Sequence, residues 1–212
     1  MFGIFLIDKP AGMTSHDVVD FLRRVTGEKR IGHAGTLDPL ATGLMIVAVG
    51  REYTKQLDRF LKLDKTYIAT ATLGANSTTY DSEGGLKEIS KEVPEKKTIE
   101  KLVVEMVGKQ TQMPPIFSAK KIKGKKAYEL ARAGKEVNLE PKNIEIYEAR
   151  LIKYEYPEVV FEVKVSSGTY IRTLVHELGE DLGVGAYMTS LTRTRVGEYT
   201  FADAVELKEK QA

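Results

Sequence analysis

The sequence predicts an α+β fold built around one core, and three observations predict it. Strand-like and helix-like segments are mixed without the regular βαβ rhythm of a doubly wound parallel sheet. The apolar run at residues 44–49 reads as a strand buried on both faces, whereas Val159, Phe161, Val163 and Val165 alternate with Val160, Glu162 and Lys164 as in a strand with one wet face. The composition, 42% hydrophobic and 29% charged over 212 residues, is that of a globular chain long enough for a substantial core. No repeat, low-complexity tract or linker divides it, so one domain spanning residues 1–212 is expected.

The elements follow in order. The opening FGIFLID reads as a first buried strand, and the Lys9-Pro10-Ala11-Gly12 turn leads into Thr14-Ser15-His16-Asp17, a capping box for a helix. Val18, Val19, Leu22 and Val25 give that helix an apolar stripe, and Gly27 stops it. A glycine-rich loop, residues 32–43, is held between this helix and the strand at 44–49. Residues 66–73, β-branched and aromatic, form another strand, and residues 75–85, dense in Asn, Ser, Thr and Gly, form a loop. Residues 98–107 form a helix with Ile99, Leu102, Val103 and Met106 on one side, approached through Val93-Pro94. After the strand at 159–165, Ser166-Ser167-Gly168-Thr169 turns into a helix that buries Ile171, Leu174, Val175, Leu178 and Leu182 and ends at Gly183. Arg172 is thereby placed near a helix N-terminus.

Several function classes drop out early. With no cysteine, the chain has no disulfide, thiolate nucleophile or cysteine-based zinc site, and it fits a reducing cytoplasm. Its three histidines, His16, His33 and His176, lack helical metal spacing, so no metal is expected. No apolar run approaches the roughly 18 residues of a membrane span. The N-terminus MFGIFLIDKP carries no basic residue ahead of its apolar stretch, unlike a secretory signal. A net charge of +2 says little about a polyanionic partner, but its distribution says more. Residues 120–135 concentrate Lys120, Lys121, Lys123, Lys125, Lys126, Arg132 and Lys135 against the single acid Glu129. A solvated face and RNA phosphate contact both fit that concentration.

The most informative stretch is Gly32-His33-Ala34-Gly35-Thr36-Leu37-Asp38-Pro39-Leu40-Ala41-Thr42-Gly43. Three glycines and a proline set an unusual backbone path around one carboxylate, and glycines let a ligand or another backbone approach. An isolated Asp-Pro would merely start a turn. The whole string, however, resembles the GxLDPxATG signature of the TruB family of pseudouridine synthases, in which the Asp is the catalytic residue. Further segments resemble that family in the same order: Lys9-Pro10-Ala11-Gly12-Met13-Thr14-Ser15, Lys65-Thr66-Tyr67, Pro114-Pro115-Ile116-Phe117-Ser118-Ala119-Lys120 with Gly124 and Tyr128, Gly168-Thr169-Tyr170-Ile171-Arg172, and Leu191-Thr192-Arg193-Thr194-Arg195-Val196-Gly197.

The resemblance implies a pseudouridine synthase fold: α+β, with a large mixed, mostly antiparallel sheet, flanking helices and a central active-site cleft. It implies isomerisation of uridine 55 to pseudouridine in the T loop of tRNA. That reaction breaks the bond from uracil N1 to ribose C1′, turns the base and rejoins it through C5, so no cofactor is expected. Asp38 would act ionised, either as a nucleophile at C1′ or as a base on the C2′ proton. A lone buried carboxylate would be protonated more readily, and Arg172 is the candidate cation that keeps it charged, through paired hydrogen bonds that Lys cannot copy. Extruding the uridine costs a few kcal/mol, which stacking on an aromatic ring offsets by roughly 1–3 kcal/mol. Tyr67 matches the family's stacking tyrosine, and its phenol is a candidate to assist removal of the C5 proton.

Tyr170 and Leu191 are expected to wall the pocket, and His33 to hold the splayed RNA loop. Asp81 corresponds to a family acid near the uracil edge, although Thr78 and Glu83 stand where the bacterial pattern has Asp. The basic segment falls in an RNA-clasping insertion around residues 114–138, making Lys120, Lys121, Lys123 and Arg132 candidate phosphate contacts. Only residues 201–212 follow the last motif, so the small C-terminal PUA domain of bacterial members is expected to be absent. The expected partner is the tRNA T stem-loop, bound by a cytoplasmic monomer. Two rivals stand beside this reading: a dyskerin-type synthase directed by a guide RNA, and a non-catalytic RNA-binding module. A generic acid/base hydrolase has no His or second carboxylate at telling spacing.

Overall fold

The computed structural model describes residues 1–117, 121–122, 125–126 and 139–207. Its first half contains β1 (Gly3–Lys9), α1 (Ser15–Thr26), β2 (Ile31–His33), β3 (Thr42–Val49), the short helices α2 (Arg51–Thr54) and α3 (Leu57–Leu61), and β4 (Lys65–Leu73). Then come β5 (Ala75–Ser77), β6 (Leu86–Glu88), α4 (Lys96–Glu105), β7 (Gly108–Gln112) and the two-residue strands β8 (Lys121–Ile122) and β9 (Lys125–Lys126). The last part holds β10 (Lys142–Glu155), β11 (Glu158–Val165), α5 (Ile171–Asp181), β12 (Ala186–Val196), β13 (Tyr199–Thr200) and β14 (Val205–Glu206).

The main sheet runs β14-β1-β3-β12-β4-β11-β10-β7, with β13 on β12 and β2 on β3. It is mixed: β1 pairs antiparallel with β3, and β10 with β7, while β12 runs parallel to β3, and β1 to β14. Two compact units divide the chain, one of residues 1–68, 164–167 and 190–212, the other of residues 69–163 and 168–189.

In the first unit, β3 is the central element. Val47, Met45 and Val49 pack with Val18, Val19 and Leu22 of α1, together with Ile7 and Ile31. Leu44 and Ile46 pack with Ala34, Phe60 and Val196. Both faces being covered explains why the strand reads as an unbroken apolar run. Helix α1 starts as expected: Thr14 and Asp17 exchange side-chain-to-backbone hydrogen bonds in a capping box, and Gly27 ends it in the left-handed conformation. Val25 departs from the expectation. It is 49% exposed, so the apolar stripe ends one turn before the helix does.

Gly43 is dictated by its neighbour. Its φ is +100°, and an added Cβ would lie 2.4 Å from the carbonyl oxygen of Arg193, on the strand running beside it. Gly43→Ala is therefore expected to destabilise the protein by more than about 3 kcal/mol, read as a lowered urea midpoint, because both backbone strain and a backbone clash must be relieved.

In the second unit, β11 buries Val159, Phe161, Val163 and Val165 at alternate positions, as its spacing predicts. Helix α4 buries Ile99 and Val103, whereas Leu102 and Met106 are only half-buried. Helix α5 buries Ile171, Leu174, Val175 and Leu178, and Leu182 lies just past its end. The segment read as a loop at 75–85 begins with β5, which pairs with β6 as a small hairpin. Among the described residues, no helix is long and apolar enough to cross a membrane.

Candidate active site

In the first unit, the loop carrying Asp38 is gripped on both sides by the stretch from the end of β1 to the start of α1. The Ser15 hydroxyl, 3% exposed, accepts from Leu37 N at 2.8 Å and donates to Leu37 O at 3.1 Å. On the other side of the carboxylate, Pro39 O accepts from Gly12 N at 2.9 Å and from Lys9 Nζ at 3.3 Å. Ala41 N donates to Asp38 O at 3.0 Å, closing a turn with Pro39 at its second position. The peptide groups before and after half-buried Asp38 are thus fixed by residues about 25 positions earlier, which gives the Lys9–Ser15 motif a mechanical purpose. The upstream end of the loop is held by Arg193, 1% exposed, whose guanidinium donates to Leu44 O at 2.7 Å and Gly35 O at 3.2 Å.

Lys9 is fully buried, and its ammonium also donates to Pro10 O and Met13 O. Burial pulls its pKa down to about 8, against the attraction of Asp38 and Asp17. Because the folded pKa lies below the unfolded value, the unfolded chain binds the extra proton between pH 8 and 10.5. The Lys9 contribution to stability is therefore expected to improve as pH rises through that window, by a few kcal/mol at most. Urea titrations of wild type and Lys9→Met at several pH values check this: only wild type should gain. Parallel pH profiles for the two proteins would refute it.

His33, Tyr67 and Leu191 belong to the same unit. The His33 imidazole is held below its ordinary range chiefly by burial and secondly by the Arg193 charge, so it is neutral at pH 7. Tyr67 is 8% exposed and Leu191 6%. Lys65, two residues before Tyr67, turns inward and donates to Leu61 O at 2.8 Å and Leu63 O at 2.6 Å, covering the carbonyls at the end of α3.

The second unit holds Asp81, Tyr170 and Arg172. Arg172 Nη1 donates to Asp81 Oδ2 at 3.1 Å, and Nη2 donates to Phe117 O at 2.8 Å. The pair is nearly sealed, with side chains 7% and 2% exposed. Asp81 Oδ1 accepts from Thr79 Oγ1 at 2.5 Å and Glu83 N at 3.1 Å, so the carboxylate is already committed to three protein donors. Tyr170 is the N-cap residue of α5, and the buried Gln112 amide brackets it, accepting from Tyr170 N at 2.8 Å and donating to Tyr170 O at 3.1 Å. Of the basic residues expected to meet phosphate, Lys120, Lys123 and Arg132 lie outside the described residues, and Lys121 is described only as part of β8.

A family model described as TruB family pseudouridylate synthase (N terminal domain) matches residues 23–171, and one for the tRNA pseudouridylate synthase B C-terminal domain matches residues 172–212. This chain belongs to the TruB family of pseudouridylate synthases. It is 45% identical to tRNA pseudouridine synthase B of Chlamydia muridarum, over 96% of this chain and 84% of that one. With the same-named protein of Protochlamydia amoebophila it shares 49% identity, over 93% and 75% of the two chains. Among solved structures, a chain of a Cbf5-Nop10-Gar1 complex superposes with a TM-score of 0.74 at 30% identity, covering 97% of this chain and 52% of that one. A chain of an H/ACA RNP bound to a substrate RNA containing 2′-deoxyuridine gives 0.71 at 28%, covering 97% and 51%. The chain thus spans about half the length of these solved chains, and it has the pseudouridine synthase fold.

Around the Asp38 loop of this TruB-family chain, three buried polar residues emerge among the described residues that the sequence did not mark as site residues: Lys9, Ser15 and Arg193. All three sit inside motifs the sequence does display. Their type alone gave no warning, since a lysine or arginine reads as surface unless something says otherwise.

Proposed function

We propose that this TruB-family enzyme converts uridine to pseudouridine in tRNA, at uridine 55 of the T loop, without a guide RNA. The observation that carries the reading is the carboxylate of Asp38, presented on a loop whose adjoining peptide groups are fixed by Ser15, Gly12 and Lys9. Loose loops do not suit a reaction that needs one oxygen aimed at a sugar carbon or its neighbouring proton. Asp38 acts on the ribose, the N1–C1′ bond breaks, and the base rejoins through C5; the C5 proton leaves and N1 ends protonated, so atoms and electrons balance within one nucleoside. Arg172 supplies a fixed positive charge, and Tyr67 a stacking surface for the extruded base, with Tyr170 and Leu191 as walls and His33 against the opened loop. Given its three protein donors, Asp81 serves this site by holding Arg172, with one lone pair left for a uracil edge. An unstacked loop is the sensible target, because its bases expose their edges and flip at low cost. The enzyme works as a cytoplasmic monomer, and Lys120, Lys121, Lys123 and Arg132 meet phosphate.

The second reading, guide-directed modification, is favoured by the TM-score of 0.74 to a chain of a Cbf5-Nop10-Gar1 complex. It is weighed down by the higher identity, 49%, to a protein named for tRNA. Incubating the purified chain with T stem-loop RNA alone, then counting pseudouridine in the digested product, separates the two. Product at the expected uridine supports the first reading. No product, or product only after a guide RNA and its protein partners are added, sinks it.

A further inference from the structure

Beside the Asp81–Arg172 pair, the second unit holds a ring stack to which the reaction above assigns no task. The rings of Tyr80 and His176 lie 4.0 Å apart at 10° to one another. Tyr80 has a φ of 65°, the only positive value at a non-glycine residue among the described residues. L-residues with large side chains avoid that region, so surrounding contacts must hold the bend. Main-chain bonds supply part of the hold. Tyr80 N donates to Ser77 O at 3.1 Å, Met188 N donates to Tyr80 O at 2.9 Å, and Ser82 N donates to Met188 O at 2.9 Å, which leaves Asp81 as the residue turned inward between two anchored neighbours.

The other half of the arrangement lies on α5. His176 follows Arg172 by four positions, so both side chains leave the helix on one face. Loop and helix are therefore joined by two adjacent rungs, an ionic one from Asp81 to Arg172 and an aromatic one from Tyr80 to His176. The imidazole suits stacking: Nδ1 is buried without a protein partner among the described residues, and burial, opposed by Glu180, lowers its pKa toward the uncharged ring. Leaving a buried ring nitrogen unpaired is a cost that a purely space-filling Leu or Phe would not carry.

We propose that His176 is a positioning residue: by stacking on Tyr80 it fixes the left-handed bend that aims Asp81 at Arg172. The inference rests on the reading of this chain as a pseudouridine synthase. Without the ring, Tyr80 relaxes toward an ordinary backbone conformation, Asp81 swings, and Arg172 loses the carboxylate that sets its direction. The chemical step then suffers while RNA contacts made elsewhere do not.

The test uses the full chain with T stem-loop RNA and the variants His176→Ala, His176→Phe and Tyr80→Leu, each checked by thermal unfolding. His176→Ala is expected to lower kcat about tenfold with KM within about twofold of wild type. His176→Phe should restore most of the loss, because a flat ring returns. Tyr80→Leu should match His176→Ala, and the double variant should be no slower than either, as for two halves of one contact. The inference is overturned if His176→Ala keeps kcat within twofold of wild type, if KM rises while kcat holds, or if His176→Phe is as slow as His176→Ala. Should His176→Ala fail to fold, Tyr80→Leu decides alone: an unchanged kcat overturns the inference and a tenfold loss at constant KM upholds it. A wild type that makes no pseudouridine would sink the parent reading and this inference with it, whereas an active wild type beside an unaffected variant sinks the inference alone.

Discussion

Asp38→Asn is expected to lower pseudouridine formation by about four orders of magnitude or more, while the unfolding temperature stays within a few degrees of wild type. The substitution keeps the side chain's size and leaves the surrounding clamps intact, since Ser15, Gly12 and Lys9 bond to the peptide groups of Leu37 and Pro39. What disappears is the negative oxygen, and either chemical role, attack at C1′ or removal of the C2′ proton, requires it. Pseudouridine counted after prolonged incubation, beside a circular dichroism melt, checks both halves. Activity within tenfold of wild type would remove Asp38 from the chemistry.

Arg172→Met is expected to damage both stability and activity. It strands the Asp81 carboxylate, 2% exposed, without the cation beside it, and breaking a buried ion pair on one side typically costs about 3–5 kcal/mol. Phe117 O loses its 2.8 Å donor as well. If Arg172 has the role proposed for it above, the rate should also fall by about a hundredfold or more, because its fixed positive charge is lost. The double variant Arg172→Met with Asp81→Asn should regain much of the stability, since no buried charge remains, but none of the activity. Urea unfolding of the three proteins separates these effects, and a single variant as stable as wild type would contradict the account.

What could be read from the sequence followed the strength of each local signal. The capping box at Thr14 and Asp17, the stop at Gly27, the doubly buried β3 and the alternating β11 are all strong periodic or conformational signals, and each appears where expected. By contrast, β10 escaped notice. Its sequence KNIEIYEARLIKYE buries only Ile144 and Ile146, so most of its length carries no period-2 pattern. The strand β12 was hidden by Thr and Arg at positions that prove structural, Arg193 above all. The small hairpin β5–β6 was masked by turn-like Asn and Ser. The candidate site shows the same division. Asp38, Tyr67, Tyr170 and Arg172 could be picked out from motifs, but the ties of Ser15 to Leu37, of Arg172 to Asp81 and of His176 to Tyr80 span 22, 91 and 96 positions and have no local signature.

Every one of the four bonds that grip Leu37 and Pro39 reaches an amide or carbonyl of the main chain, which any substitution at these two positions short of a proline at Leu37 preserves. The main-chain path through Asp38 is thereby insulated from which side chains occupy the flanking positions. Thr36, exposed and next to this anchored stretch, is a place where the sequence can change without disturbing the main-chain clamps on either side of Asp38.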